Sequence, residues 1–137
     1  MKFRLEKTQK VVLFIAGVLL IVVGVLVTTS PDEFYAANNI ELNANVNLIN
    51  ELKAPAGMLL GAGLFMILGV FVRSFSNSAM WLATLIYLSY ASSRFVSMAS
   101  DGIPATGLVQ AAALEAFVGL ICLVILMIRL PAAGRSA

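Results

Sequence analysis

The sequence predicts an all-α membrane protein, one domain of four transmembrane helices over residues 1–137 with both termini cytoplasmic. Three observations carry that reading. The chain is 61% apolar and 12% charged, with a mean hydropathy of +0.97, whereas a soluble domain is about 45–50% apolar and about 25% charged. Its apolar residues fall in four runs, 11–29, 54–72, 78–99 and 108–128, each close to the roughly 20 residues that cross about 30 Å of hydrocarbon as a helix. Those runs lack the alternation of barrel strands, and lipid leaves only helices or closed barrels to satisfy the backbone.

The first run follows Lys2, Arg4, Lys7 and Lys10 and so resembles a signal peptide. It is longer than the usual signal core of about 7–15 residues, and no small-x-small site directly follows Thr29. We read it as a retained span, with cleavage after Tyr35-Ala36-Ala37 as the alternative. Orientation follows from the basic residues. Lys2, Arg4, Lys7, Lys10, Arg73, Arg129 and Arg135 fall on one side and only Lys53 on the other, which makes the first side cytoplasmic. The net charge of +2 is then a topological collar and not a nucleic-acid surface.

Residues 30–53 form the external loop. Ser30-Pro31-Asp32-Glu33 has the pattern of a helix start, with a Ser cap, Pro at the first position and Glu closing a capping box. A short interfacial helix follows, with Phe34 and Tyr35 near the headgroups. Ile40, Leu42, Ala44, Val46 and Leu48 then alternate with Glu41, Asn43, Asn45 and Asn47, a period of two that predicts an extended segment. This segment reads either as an ordinary loop resting on the bundle mouth or as a flap over a pocket.

The second span tolerates Pro55 near its first turn. Its Gly57 and Gly61 form a Gly-x-x-x-Gly pair, which lets helices approach closely in lipid, within the bundle or between copies. On the third span Tyr87, Tyr90, Arg94, Ser97 and Asp101 recur at steps of three and four and make one polar stripe that must turn away from lipid. After the Asp101-Gly102-Ile103-Pro104 turn the fourth span carries Glu115. Arg94 lies seven residues before Asp101 and Glu115 seven after Leu108, so both sit about 10 Å below the outer boundary at about 1.5 Å per residue.

An unpaired charge in hydrocarbon costs several kcal/mol, so a pair at matched depth is the simplest expectation. Glu51, at the mouth of the second span, is a second acceptor available to Arg94, whose five donors suit bidentate carboxylate contacts. The pair reads equally as a structural clasp that fixes helix register and as the wall of a polar pocket for an anionic or hydroxylated ligand. The chain has no histidine and a single cysteine, Cys122. Histidine-based metal and catalytic sites are excluded, as is any intrachain disulfide. No cofactor is expected.

Glu51-Leu52-Lys53-Ala54, the Gly57 and Gly61 helix, Arg94, Asp101-Gly102-x-Pro104 and Glu115 occur in an order and spacing that resembles a family of small bacterial membrane proteins, domain of unknown function 4345. That resemblance runs from Asn50 to Ile128 and implies a four-helix membrane bundle of the bacterial inner membrane with weight on Glu51, Arg94, Asp101 and Glu115. The plan is distantly similar to DoxX-like membrane proteins. The Asn-rich stretch from Asn38 to Asn50 departs from the pattern.

The leading functional expectation is a non-catalytic accessory subunit or a bundle that binds a small ligand or lipid, with membrane lipids and a larger complex or homo-oligomer as partners. Two alternatives stand beside it. One is an oligomeric transporter or proton-linked carrier using Glu115 and Arg94; the other is a small lipid-modifying enzyme working through Glu51 and Glu115.

Overall fold

A run of apolar side chains in lipid has to close its backbone hydrogen bonds on itself, and the structure does so with helices throughout. The computed structural model describes residues 2–133, in which α1 spans Lys2–Thr29, α2 Pro31–Ala36, α3 Val46–Phe71, α4 Arg73–Ser100 and α5 Thr106–Ala133. Arg135, counted above among the cytoplasmic bases, lies outside the described residues. Three of these helices are long and apolar enough to cross a membrane, over Arg4–Thr29, Val46–Phe71 and Thr106–Arg129. They mark a membrane protein. α4, at 28 residues, is as long as any of them but differs in composition, because Arg94 and a succession of serines lower its hydropathy.

The loop differs from its sequence reading in three ways. Pro31 opens α2 as expected, with Asp32 and Glu33 in the first turn, but the Ser30 side chain makes no capping bond. The Ser30 N–H continues α1 instead, donating to the Leu26 carbonyl at 2.9 Å, so the half of the capping box in which the Glu33 side chain would accept from that N–H has no donor. The extended segment is a turn followed by a helix. Asn39, Asn43 and Ala44 adopt positive φ of 59°, 51° and 52°, and the Asn45 side chain then accepts from the N–H groups of Asn47 and Leu48, starting α3 at Val46. Asparagine favours both roles, the left-handed turn and the N-cap, and here that chemistry overrides the period-two pattern. Because α3 starts early, Pro55 lies inside it and the Glu51 carbonyl lacks its usual i+4 donor.

Neighbouring helices run antiparallel. Gly17 meets Gly63 and Gly24 meets Ala56 between α1 and α3; Leu88 meets Gly119 and Arg94 meets Glu115 between α4 and α5. One close crossing is at Gly17 and Gly63, where a Cβ added to either would come within 2.9 Å of the other's carbonyl oxygen. Small residues permit such approach, but not the ones the spacing had marked. A Cβ on Gly57 or Gly61 would meet nothing within 4 Å, so that pair lies on the open surface of α3 and packs no helix of this chain. Leu13, Ala16, Met66, Met80, Ala83 and Cys122 are wholly buried at the centre, while Phe14, Val22, Leu64, Phe117 and Met127 point outward, as lipid allows.

The bundle therefore has two ends. The terminal end gathers the start of α1, the α3–α4 junction at Val72 and the end of α5. The loop end gathers α2, residues 37–45 and the α4–α5 turn, where Gly102 takes a φ of +101° that an L side chain resists.

Candidate functional site

At the loop end α4 and α5 present Arg94 and Glu115 to each other, with Arg94 Nε donating to Glu115 Oε2 at 2.9 Å. The side chains are 31% and 17% exposed, so the pair is half-buried rather than sealed in the interior. Their remaining exposure is to a cleft. An outer chamber of about 680 Å³ lies under α2 and the loop, and an inner one of about 130 Å³ continues toward the bundle centre. Val23, Leu59, Tyr90, Arg94, Ala111 and Glu115 line both, so the ion pair stands where the two meet.

The other residues of the polar stripe divide. Tyr87 lines the inner chamber with its ring, but its hydroxyl donates to the Ala16 carbonyl at 2.8 Å and ties α4 to α1. Tyr90 lines both chambers, and its hydroxyl makes no hydrogen bond among the described residues. Ser97 donates to Asp101 Oδ2 at 2.9 Å; both are exposed at the end of α4 and outside the chambers. Glu51 is also exposed, and its side chain has no ion pair or hydrogen bond among the described residues. α3 carries it on an exposed face outside both chambers, so the second acceptor that the spacing made available to Arg94 makes no contact with it.

The sequence offered a flap over a pocket only for the stretch from Ile40 onward, and the rest of the outer chamber's roof escaped it. Phe34, Tyr35, Asn38 and Ile40 all line that chamber, so the two aromatic residues assigned to the headgroups face the cleft. Burial raises the Tyr35 pKa above the ordinary tyrosine value, and nearby Tyr90 adds to the rise while Arg94 opposes it. Asn38 rests its side-chain oxygen on the α carbon of Gly107, where any side chain would collide with it. The helix-start signal at Ser30-Pro31 located α2 but gave no indication of which way its aromatic face turns.

A second polar cluster closes the terminal end. Glu6 pairs with Arg73 at 2.8 Å and lies 3.9 Å from Arg129, and Arg129 reaches Asn77 at 3.3 Å. Beneath them the buried Gln9 donates from Nε2 to the Ser76 carbonyl at 3.0 Å, leaving Oε1 without a partner. Among the described residues, no group of three or more Cys, Asp or Glu is placed to hold a metal ion.

The family model described as Domain of unknown function (DUF4345) matches residues 8–126. The chain belongs to that family. No curated protein and no solved structure matches it. The DUF4345 match takes in both the ion pair and the roof of the cleft, from α1 through most of α5, so the site lies wholly within the family's domain.

Proposed function

We propose that this DUF4345 protein is a four-span bundle of the bacterial inner membrane that binds a small ligand in a cleft opening to the non-cytoplasmic side. α4 serves as the fourth span, its polar stripe turned inward, and the terminal end with its basic residues faces the cytoplasm. One observation carries the ligand-binding reading: Arg94 and Glu115 stand at the meeting point of two chambers, roofed by α2. A clasp serving only helix register needs no such space, since interiors are otherwise close-packed. The outer volume falls in the range of about 300–1,000 Å³ common to small-molecule sites. An asymmetric wall, apolar with few polar groups, is also characteristic of such sites.

The test is extraction from native membrane under mild conditions, followed by native mass spectrometry of wild type and Ala111→Trp, which fills the junction of the chambers. A small molecule should accompany wild type and be absent from the variant, and it should be recovered unchanged. Identical spectra for the two proteins would remove the basis for a cleft ligand; a chemically altered molecule would indicate an enzyme. Co-migration with a larger complex, and no small molecule, would point to an accessory subunit with Gly57 and Gly61 on its docking face.

A further inference from the structure

The two chambers and the ion pair between them restrict the chemistry of what the cleft can hold. The inner chamber has about 130 Å³ and is walled by Leu19, Leu20, Ile86 and Leu114 together with residues shared with the outer one. An apolar cavity of about 150 Å³ accepts a benzene molecule, so this one has room for a single ring or a short branched alkyl group. A long acyl chain does not fit.

The polar wall is more selective. Arg94 uses Nε on Glu115, and its two terminal nitrogens have no partner among the described residues. Neither they nor Glu115 Oε1 is shut away from solvent, since the single buried unpartnered side-chain atom among the described residues is Gln9 Oε1. The pair thus offers guanidinium donors beside a carboxylate acceptor. Among the described residues Arg94 and Glu115 are also the only charged ones lining either chamber, and their charges cancel. An ionic ligand entering this site would lose hydration with no net opposite charge to meet it. A neutral group carrying an acceptor and a donor side by side meets both partners at no such cost.

We propose that the cleft takes an uncharged amphipathic molecule, with an amide-like or hydroxyl head on Arg94 and Glu115 and a ring-sized apolar group in the inner chamber. This rests on the ligand-binding reading above and specifies the ligand's class. The probes are benzamide, benzoate, benzylammonium and palmitamide, measured by equilibrium dialysis against the full chain in lipid nanodiscs, with empty nanodiscs as the partition control. Benzamide should bind at least tenfold tighter than either ion. Leu19→Trp, which fills the inner chamber, should weaken benzamide at least tenfold. Glu115→Gln leaves the Arg94 charge uncompensated and should reverse the order, so that benzoate exceeds benzamide.

The comparison of the four probes on wild type needs no variant to fold. Benzoate binding as tightly as benzamide there would overturn the neutral head, and palmitamide outcompeting benzamide would overturn the ring-sized group. If no probe binds while a native molecule still co-purifies with wild type, this inference falls and the ligand-binding reading stands. If neither is observed, both fall together.

Discussion

The two ends of the bundle use the same kind of contact, an arginine against a glutamate, with opposite surroundings. At the terminal end Glu6 bridges toward Arg73 and Arg129, joining α1, α4 and α5 over a packed floor at Gln9 and Ser76. At the loop end Arg94 and Glu115 join α4 and α5 alone and face open volume. A salt bridge by itself therefore says little about purpose. The volume beside it, and the hydrogen-bonding capacity it leaves unused, are what the proposed binding role rests on.

That contrast breaks most visibly at the loop end. Arg94→Ala leaves Glu115 half-buried without a partner, and we expect a loss of about 1–3 kcal/mol. This is less than the cost at a fully buried pair because both side chains keep some exposure. Thermal unfolding in detergent measures it, and Glu115→Gln should be milder, since the amide still accepts a hydrogen bond. An Arg94→Ala protein as stable as wild type would mean that the pair contributes nothing to the bundle.

At the terminal end Glu6→Ala should cost about 0.2–1 kcal/mol, because the Arg73 side chain is 86% exposed and water screens the pair. The difference should shrink in high salt; a salt-independent loss above about 2 kcal/mol would make this end the stronger clasp and invert the comparison. The smallest effect is expected from Gln9→Met. It gives up one hydrogen bond of about 1 kcal/mol but also removes a buried unpaired oxygen that costs about 1–3 kcal/mol, so stability should hold or rise slightly. A clear loss would show that Oε1 has a water partner.

Much of the architecture was legible in the residues because hydropathy is a property of sequence. The runs that became α1, α3 and α5 needed no tertiary knowledge, and the equal distance of Arg94 and Glu115 from the α4–α5 turn can be counted directly. The N-terminal limit of α3 could not be reached that way. Alternation over Ile40 to Leu48 imitates a strand, and only the hydrogen bonds of Asn45 decide against it. The glycines make the same point: Gly57 and Gly61 have the motif spacing, yet Gly17 and Gly63 make the crossing, because spacing does not state which face meets a partner. The cleft is a space between five helices and the loop after α2, and no single segment encodes it. Tyr35 and Asn38 became site residues only when α2 turned back over the bundle.

The junction between α3 and α4 is a single extended residue, Val72, and this bears on how the chain reaches its membrane. A helix as polar as α4 has little reason to leave water alone, with Arg94 unfavourable at the bilayer centre by about 2.5–3.5 kcal/mol on insertion scales. Tethered by one residue to the strongly apolar α3, it has no slack in which to wait outside. With α4 as the fourth span proposed above, the two helices should enter as one hairpin, the first supplying the transfer free energy that the second lacks. Under that route, lengthening the linker at Val72 is a defect of biogenesis before it is a defect of the finished fold.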